Sequence, residues 1–260
     1  MRDFAYARPT SLADAANAFA GGGEAAFIAG GHTLLPAIKS RLRMPDTLVD
    51  LAGVPGLAGV THDGYRLWVG ALTTHAAVAA AAGAIPGLVA MANLIGDQQV
   101  RNRGTLGGVI ANNDPAADYP AAVLALDGII KTDRASYAAD DFFQGMFATA
   151  LADGEIVTRV GFQVPRGSGY AKFRNPASRY ALVGVFVARF AEGVRVAVIG
   201  AGPGVFRWAE AEAALTAEFS AGAVKGLVLD DADLNTDLHA SAEFRAHLAG
   251  VMLAQAVGDA

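Results

Sequence analysis

The sequence contains no cysteine. Without a thiol the chain forms no disulfide, carries no thiolate nucleophile and ligates no zinc or iron–sulfur centre through sulfur. Charge is scarce too: 17% of residues are charged, and 25 acidic against 20 basic side chains leave a net charge of −5. A nucleic-acid binder carries a basic surplus against phosphates, so the balance points away from that class. No run of Lys or Arg suggests a membrane surface, and the opening MRDFAYARPT lacks the basic-then-apolar pattern of a secretion signal, so a cytoplasmic protein is expected. His32, His62, His75, His239 and His247 are scattered without metal-ligand spacing, and no metal site is expected. No Gly-x-Ser-x-Gly elbow supplies a hydrolase nucleophile, and no catalytic side chain stands out. The long uncharged run, residues 76–95, is interrupted by Pro86-Gly87, which predicts two short buried helices rather than a membrane span.

Apolar residues and glycine are plentiful, at 53% of the chain and 31 positions. A fold of this length buries roughly 70% of its extended surface. At about 150 residues per domain, about two domains or one with an appendage are expected. Residues 12–20 read as a helix capped by Thr10 or Ser11, 25–29 as a buried strand, 34–44 as a helix and 47–51 as a strand. Further strands are expected at 67–70, 129–132 and 155–164, with a helix at 121–126 and an unperiodic loop over 101–120. The last third predicts a hairpin of 180–190 with 194–199, turning at Glu192-Gly193, then helices at 208–218 and 241–257. The Arg166-Gly167-Ser168-Gly169 stretch reads as a boundary. The expected division is an α/β unit over 1–53, a second lobe over 54–166 and an α+β unit over 167–260.

Two glycine loops carry the chemistry. One is Ala29-Gly30-Gly31-His32-Thr33-Leu34, between a strand and a helix; the other is Gly104-Thr105-Leu106-Gly107-Gly108-Val109. Glycines admit a ligand close to the backbone, and each loop adds a hydroxyl, which suggests a pyrophosphate gripped from two sides. Neither has the Gly-Lys-Ser/Thr of a P-loop. The stretch VAVIGAGPG at 196–204 imitates a dinucleotide fingerprint but lacks its third glycine, and reads as a bend after a strand.

These motifs, together with Phe4-x-Tyr6-x-Arg8-Pro9, VGALTTH, IGDQQVRNRGTLGG, DPAADYPAAVLALD, EIVTRVGFQVP and KFRNPASRYALVGVFVA, resemble the FAD-binding medium subunit of molybdenum hydroxylases, the group of carbon monoxide and xanthine dehydrogenases. The resemblance implies a two-lobed α+β FAD-binding fold of the vanillyl-alcohol-oxidase kind with a small C-terminal domain. It implies that Ala29, Gly30, Gly31, His32, Thr33 and Leu34, with Thr105, Gly107, Gly108 and Val109, hold the diphosphate. By the same likeness Asp118 receives flavin-chain hydroxyls, Ile156 and Val157 the adenine end, and Lys172 and Tyr180 lie by the isoalloxazine. It further implies a molybdopterin-binding large subunit, a [2Fe-2S] small subunit, and quinone, NAD or O2 as final acceptor. One departure is Ala111-Asn112-Asn113-Asp114-Pro115, where many relatives carry a histidine-containing motif.

Overall fold

A computed structural model describes residues 3–21 and 23–260. The first fifty residues alternate: β1 (Ala5–Ala7), α1 (Leu12–Ala20), β2 (Ala25–Ile28), α2 (Leu34–Lys39) and β3 (Thr47–Asp50). The three strands form a parallel sheet in the order β1-β3-β2. Ser11, extended at the head of α1, accepts from the Asp14 N–H and so fixes where that helix begins. The helix expected over 34–44 is shorter. Arg41 takes φ +59°, and the Leu42 N–H turns back to the Ala37 carbonyl, which closes the helix end and leaves Leu42 and Met44 exposed.

The middle of the chain supplies β4 (Val60–His62), β5 (Arg66–Gly70), α3 (His75–Ala81), α4 (Pro86–Asn93), α5 (Gln98–Arg101), α6 (Leu106–Asn112), α7 (Tyr119–Ala125), β6 (Ile129–Thr132), β7 (Ser136–Ala138), α8 (Ala139–Phe142) and β8 (Val157–Gln163). Its sheet is antiparallel, in the order β4-β5-β8-β6-β7. Pro86 opens α4, where its missing N–H costs nothing. Among the described residues no helix is long and apolar enough to cross a membrane. The segment expected as loop, 101–120, instead contains α6 and the start of α7. Gly107 permits α6 because a Cβ there would lie 2.4 Å from the Ala71 Cβ. That glycine allows helix packing, a pattern indistinguishable in sequence from a turn.

The last third is a four-stranded antiparallel sheet, β9 (Gly167–Arg174), β10 (Ala181–Arg189), β11 (Val194–Ile199) and β12 (Phe206–Arg207), followed by α9 (Ala209–Ala217) and α10 (Ala242–Gly258). The expected boundary stretch is itself strand: a Cβ on Gly169 would lie 2.0 Å from the Ala256 carbonyl oxygen, so glycine lets β9 pass under α10. The 196–204 stretch is a strand and a bend, with Gly200 at φ +77°. On β10, Phe186 and Ala188 join one core with α4 and α7, whereas Val183, Val185 and Val187 join another with α9, α10 and Trp208. Alternation on a strand covered on both faces gives its unbroken apolar run. Each sheet lies within one expected unit, yet the largest core crosses position 166, mixing Tyr170, Phe186 and Ile199 with Leu88, Ile110 and Phe162.

Candidate functional site

The Gly30 turn and the segment before α6 touch. A Cβ on Gly30 would lie 2.2 Å from the Arg103 carbonyl oxygen, so only glycine lets the two chain segments meet. Beside this contact runs a cavity of about 620 Å³, within the ~300–1,000 Å³ usual for ligand sites. Ala29, Gly30, Gly31, His32, Thr33 and Leu34 form one wall; Thr105, Gly107, Gly108 and Val109 form another. Asp118, Ile156, Val157 and Tyr180 also line it. Lys172 does not: its ammonium is buried, 2.8 Å from Asp118 Oδ1.

The two walls differ in chemistry. Gly31 adopts φ +76°, and Thr33 heads α2 without capping it with its side chain, so that hydroxyl stays open to the cavity. On the other wall the amides are already engaged. Leu106 and Gly107 donate to the Thr73 and Ala71 carbonyls, and Gly108 donates to Thr105 Oγ1 at 3.3 Å. Thr105 is thus an N-cap whose hydroxyl proton is still to be given. A Cβ on Gly108 would lie 3.0 Å from Thr105 Oγ1 on its own wall and 3.8 Å from the Ala29 Cβ on the other.

Part of the lining is an apolar cluster of Leu51, Ile156, Phe19 and Phe27, the two phenylalanines stacked at 4.6 Å. Glu155 is anchored beside it. Burial opposes its ionisation, but bonds from Thr132, the Ala152 N–H and Tyr137 outweigh that and hold its pKa below the usual value. Asp118, Arg179 and Tyr180 add polar groups to the lining. Tyr180 is 44% exposed, and burial of part of the ring, then Asp114 and Asp118, push its hydroxyl pKa upward.

Two features, His75 and Arg179, escaped the sequence. His75 is 2% exposed, lines the cavity behind the Gly104 turn, and has its pKa lowered to about 4 by burial, then by His32 and Arg101. Its fixed place at the head of α3 depends on Thr74 as N-cap, and one sequence gave no sign that this histidine would be enclosed. Arg179 takes φ +65° and donates to the Gly96 carbonyl at 3.3 Å. Asn113 sits at φ +45°, and its amide donates to the Gly145 and Ala148 carbonyls at 2.8 and 2.7 Å, holding the loop after α8. Arg101 braces the approach to α6 through the Ile95 and Gly96 carbonyls.

Residues 2–166 match the family described as the FAD binding domain in molybdopterin dehydrogenase. The chain belongs to that family. The nicotine 6-hydroxylase medium subunit of Paenarthrobacter nicotinovorans is 34% identical, over 98% of this chain and 96% of its own. The carbon monoxide dehydrogenase medium chain of Afipia carboxidovorans is 34% identical, over 98% and 95%. The solved structure of reconstituted CO dehydrogenase from Oligotropha carboxidovorans superposes with a TM-score of 0.91 at 32% identity, covering 100% of this chain and 98% of that one. The protein is an FAD-binding subunit of the molybdenum hydroxylase family, an oxidoreductase component with the fold of the carbon monoxide dehydrogenase medium chain.

The cavity of this FAD-binding subunit suits its cofactor. Glycines let the two loops close round the cavity, His32, Arg43 and Arg179 give its lining basic side chains, and Phe19, Phe27, Leu51 and Ile156 give it apolar surface for a planar ring.

Proposed function

We propose that this chain is the electron-transfer subunit of a three-part molybdenum hydroxylase. The observation that carries the proposal is the cavity where Gly30 meets Arg103 and the bare Gly108 faces Ala29. When bound, FAD supplies the ability to accept electrons singly and release them in pairs. The chain's own part is to bind and shield it. In this reading residues 29–34 with Thr105, Gly107, Gly108 and Val109 enclose the diphosphate, Ile156 and Val157 receive the adenine, and Asp118 and Tyr180 meet the flavin end.

Electrons would arrive from a [2Fe-2S] small subunit, fed by a molybdopterin-binding large subunit, and leave to quinone, NAD or O2. The missing cysteines support this division, because thiolate-ligated clusters need another chain. So do the names of the relatives, which are a medium subunit and a medium chain. A cytoplasmic location and units bounded at residues 53 and 166 belong to the same proposal.

Expressed alone, the chain is expected to purify with a flavin absorption spectrum and to hydroxylate nothing. Purified with its partners, its flavin is expected to bleach when the complex's substrate is added under anaerobic conditions. Substrate turnover by the isolated chain would overturn the assignment in favour of a self-sufficient oxidoreductase.

A further inference from the structure

Asp118 stands at the head of α7 but does not cap it: its backbone is helical, φ −76° and ψ −44°, and its carboxylate makes no bond to that helix's N–H groups. The side chain turns to β9 instead. Tyr170 donates its hydroxyl to Oδ1 at 2.5 Å, and Lys172 Nζ lies 2.8 Å from the same oxygen. Residues 170 and 172 alternate on the strand, so both reach Asp118 from one face. Both groups are enclosed, Tyr170 at 2% exposure and the Lys172 side chain at 1%, and among the described residues the Lys172 ammonium makes no hydrogen bond, so it holds Oδ1 as an ion pair. Among the described residues no protein donor meets Oδ2, and Asp118 lines the cavity while Tyr170 and Lys172 do not.

The convergence has a mechanical meaning. The terminal torsion of a carboxylate is broad and roughly two-fold, so one partner leaves it free to swing. A hydrogen bond from Tyr170 and the ion pair with Lys172 on one oxygen pin that oxygen and thereby aim the other. We propose that Tyr170 and Lys172 are positioning residues that hold Asp118 by Oδ1 and present Oδ2 to the cavity as one fixed acceptor for a hydroxyl or N–H of the cofactor. Lys172 then acts through Asp118 rather than by touching the flavin. Burial, then the charge and hydrogen bond of Asp118, push the Tyr170 hydroxyl pKa well above its ordinary value, so it remains a donor. The inference rests on the FAD reading above.

Double-mutant cycles on the full chain test it, with FAD affinity read by flavin fluorescence and folding by melting of the cofactor-free protein. Tyr170→Phe keeps the ring and is expected to weaken FAD about tenfold, the size of a lost hydrogen bond to a charged group. Asp118→Asn, still held through its Oδ1 by the Tyr170 hydroxyl, would turn an NH2 group to the cavity where an acceptor is needed. In that background Tyr170→Phe is expected to cost less than about twofold, as the pinned acceptor is already gone. Lys172→Gln should show the same coupling. The visible circular dichroism of bound flavin, which reports its orientation, should change in Tyr170→Phe and not change further when that substitution is added to Asp118→Asn. Equal losses in both backgrounds, or no loss at all, would overturn the inference while leaving FAD binding by the parent intact. If the parent binds no FAD, the functional reading fails and this inference with it.

Discussion

At the residue scale, adjacent glycines in this site have unrelated jobs. Gly107 faces Ala71 and lets α6 lie against the end of β5; Gly108 faces the space between the cavity walls. Gly107→Val is expected to destabilise the fold by overpacking, about 1–3 kcal/mol or more, seen as a lower melting temperature. Gly108→Val is expected to keep the fold and lose the cofactor, measured as flavin absorbance per protein. Full flavin content in that variant would show that the cofactor does not pass between Gly108 and Ala29. His75 gives a pH dependence. Its folded pKa of about 4 lies below the ordinary 6.5, so the unfolded chain binds more protons between those values. The stability it contributes is therefore present above pH 6.5 and is lost as pH falls toward 4, on the order of 3 kcal/mol. Urea unfolding at pH 7 and 4.5 should show a smaller difference between the two pH values for His75→Gln than for the parent.

At the element scale, what holds the site is the junction between the second and third sheets. The Gly87 N–H donates to Ser168 Oγ at 3.0 Å in a buried contact that joins α4 to β9. Gly87 has no room for a side chain there, since its Cβ would lie 3.0 Å from the Phe186 ring and from Ser168. Ser168→Ala leaves that buried N–H without a partner and is expected to cost about 1–3 kcal/mol in denaturant unfolding. Arg195 ties β11 to the Leu124 carbonyl at the end of α7 and to Asp127 and Asp140, and Arg245 on α10 reaches the Leu182 and Gly200 carbonyls. The bonds to Leu124, Leu182 and Gly200 end on backbone carbonyls, so they fix element positions rather than only side chains.

At the scale of the whole molecule, the family's domain match ends at residue 166, yet the packing does not. The largest core draws Tyr170, Ala181, Phe186, Ala197 and Ile199 from beyond that point, and Asp118 depends on Tyr170 and Lys172. A fragment of residues 1–166 would expose that apolar face and strand a buried carboxylate. It is expected to lack a cooperative thermal transition and near-ultraviolet circular dichroism, in contrast to the full chain. A fragment that melts cooperatively and binds FAD would show the third sheet to be dispensable.

The sequence by itself determined the strong periodic elements. The 12–20 and 241–257 helices announce themselves through serine caps and apolar faces, and the 180–199 hairpin through two apolar runs around Glu192-Gly193. Motif order was enough to reach the family and its cofactor. Tertiary structure decided what local pattern leaves ambiguous. Whether Gly104-Thr105-Leu106-Gly107-Gly108 is loop or helix depends on Ala71 lying where a side chain would be, and Gly167-Ser168-Gly169 becomes strand because α10 passes over it. Family likeness alone put Lys172 beside the isoalloxazine; alternation along β9 says which face a side chain takes, not what stands in front of it. Asp118, brought from another element 54 positions earlier, is what occupies that place, and only long-range packing could put it there.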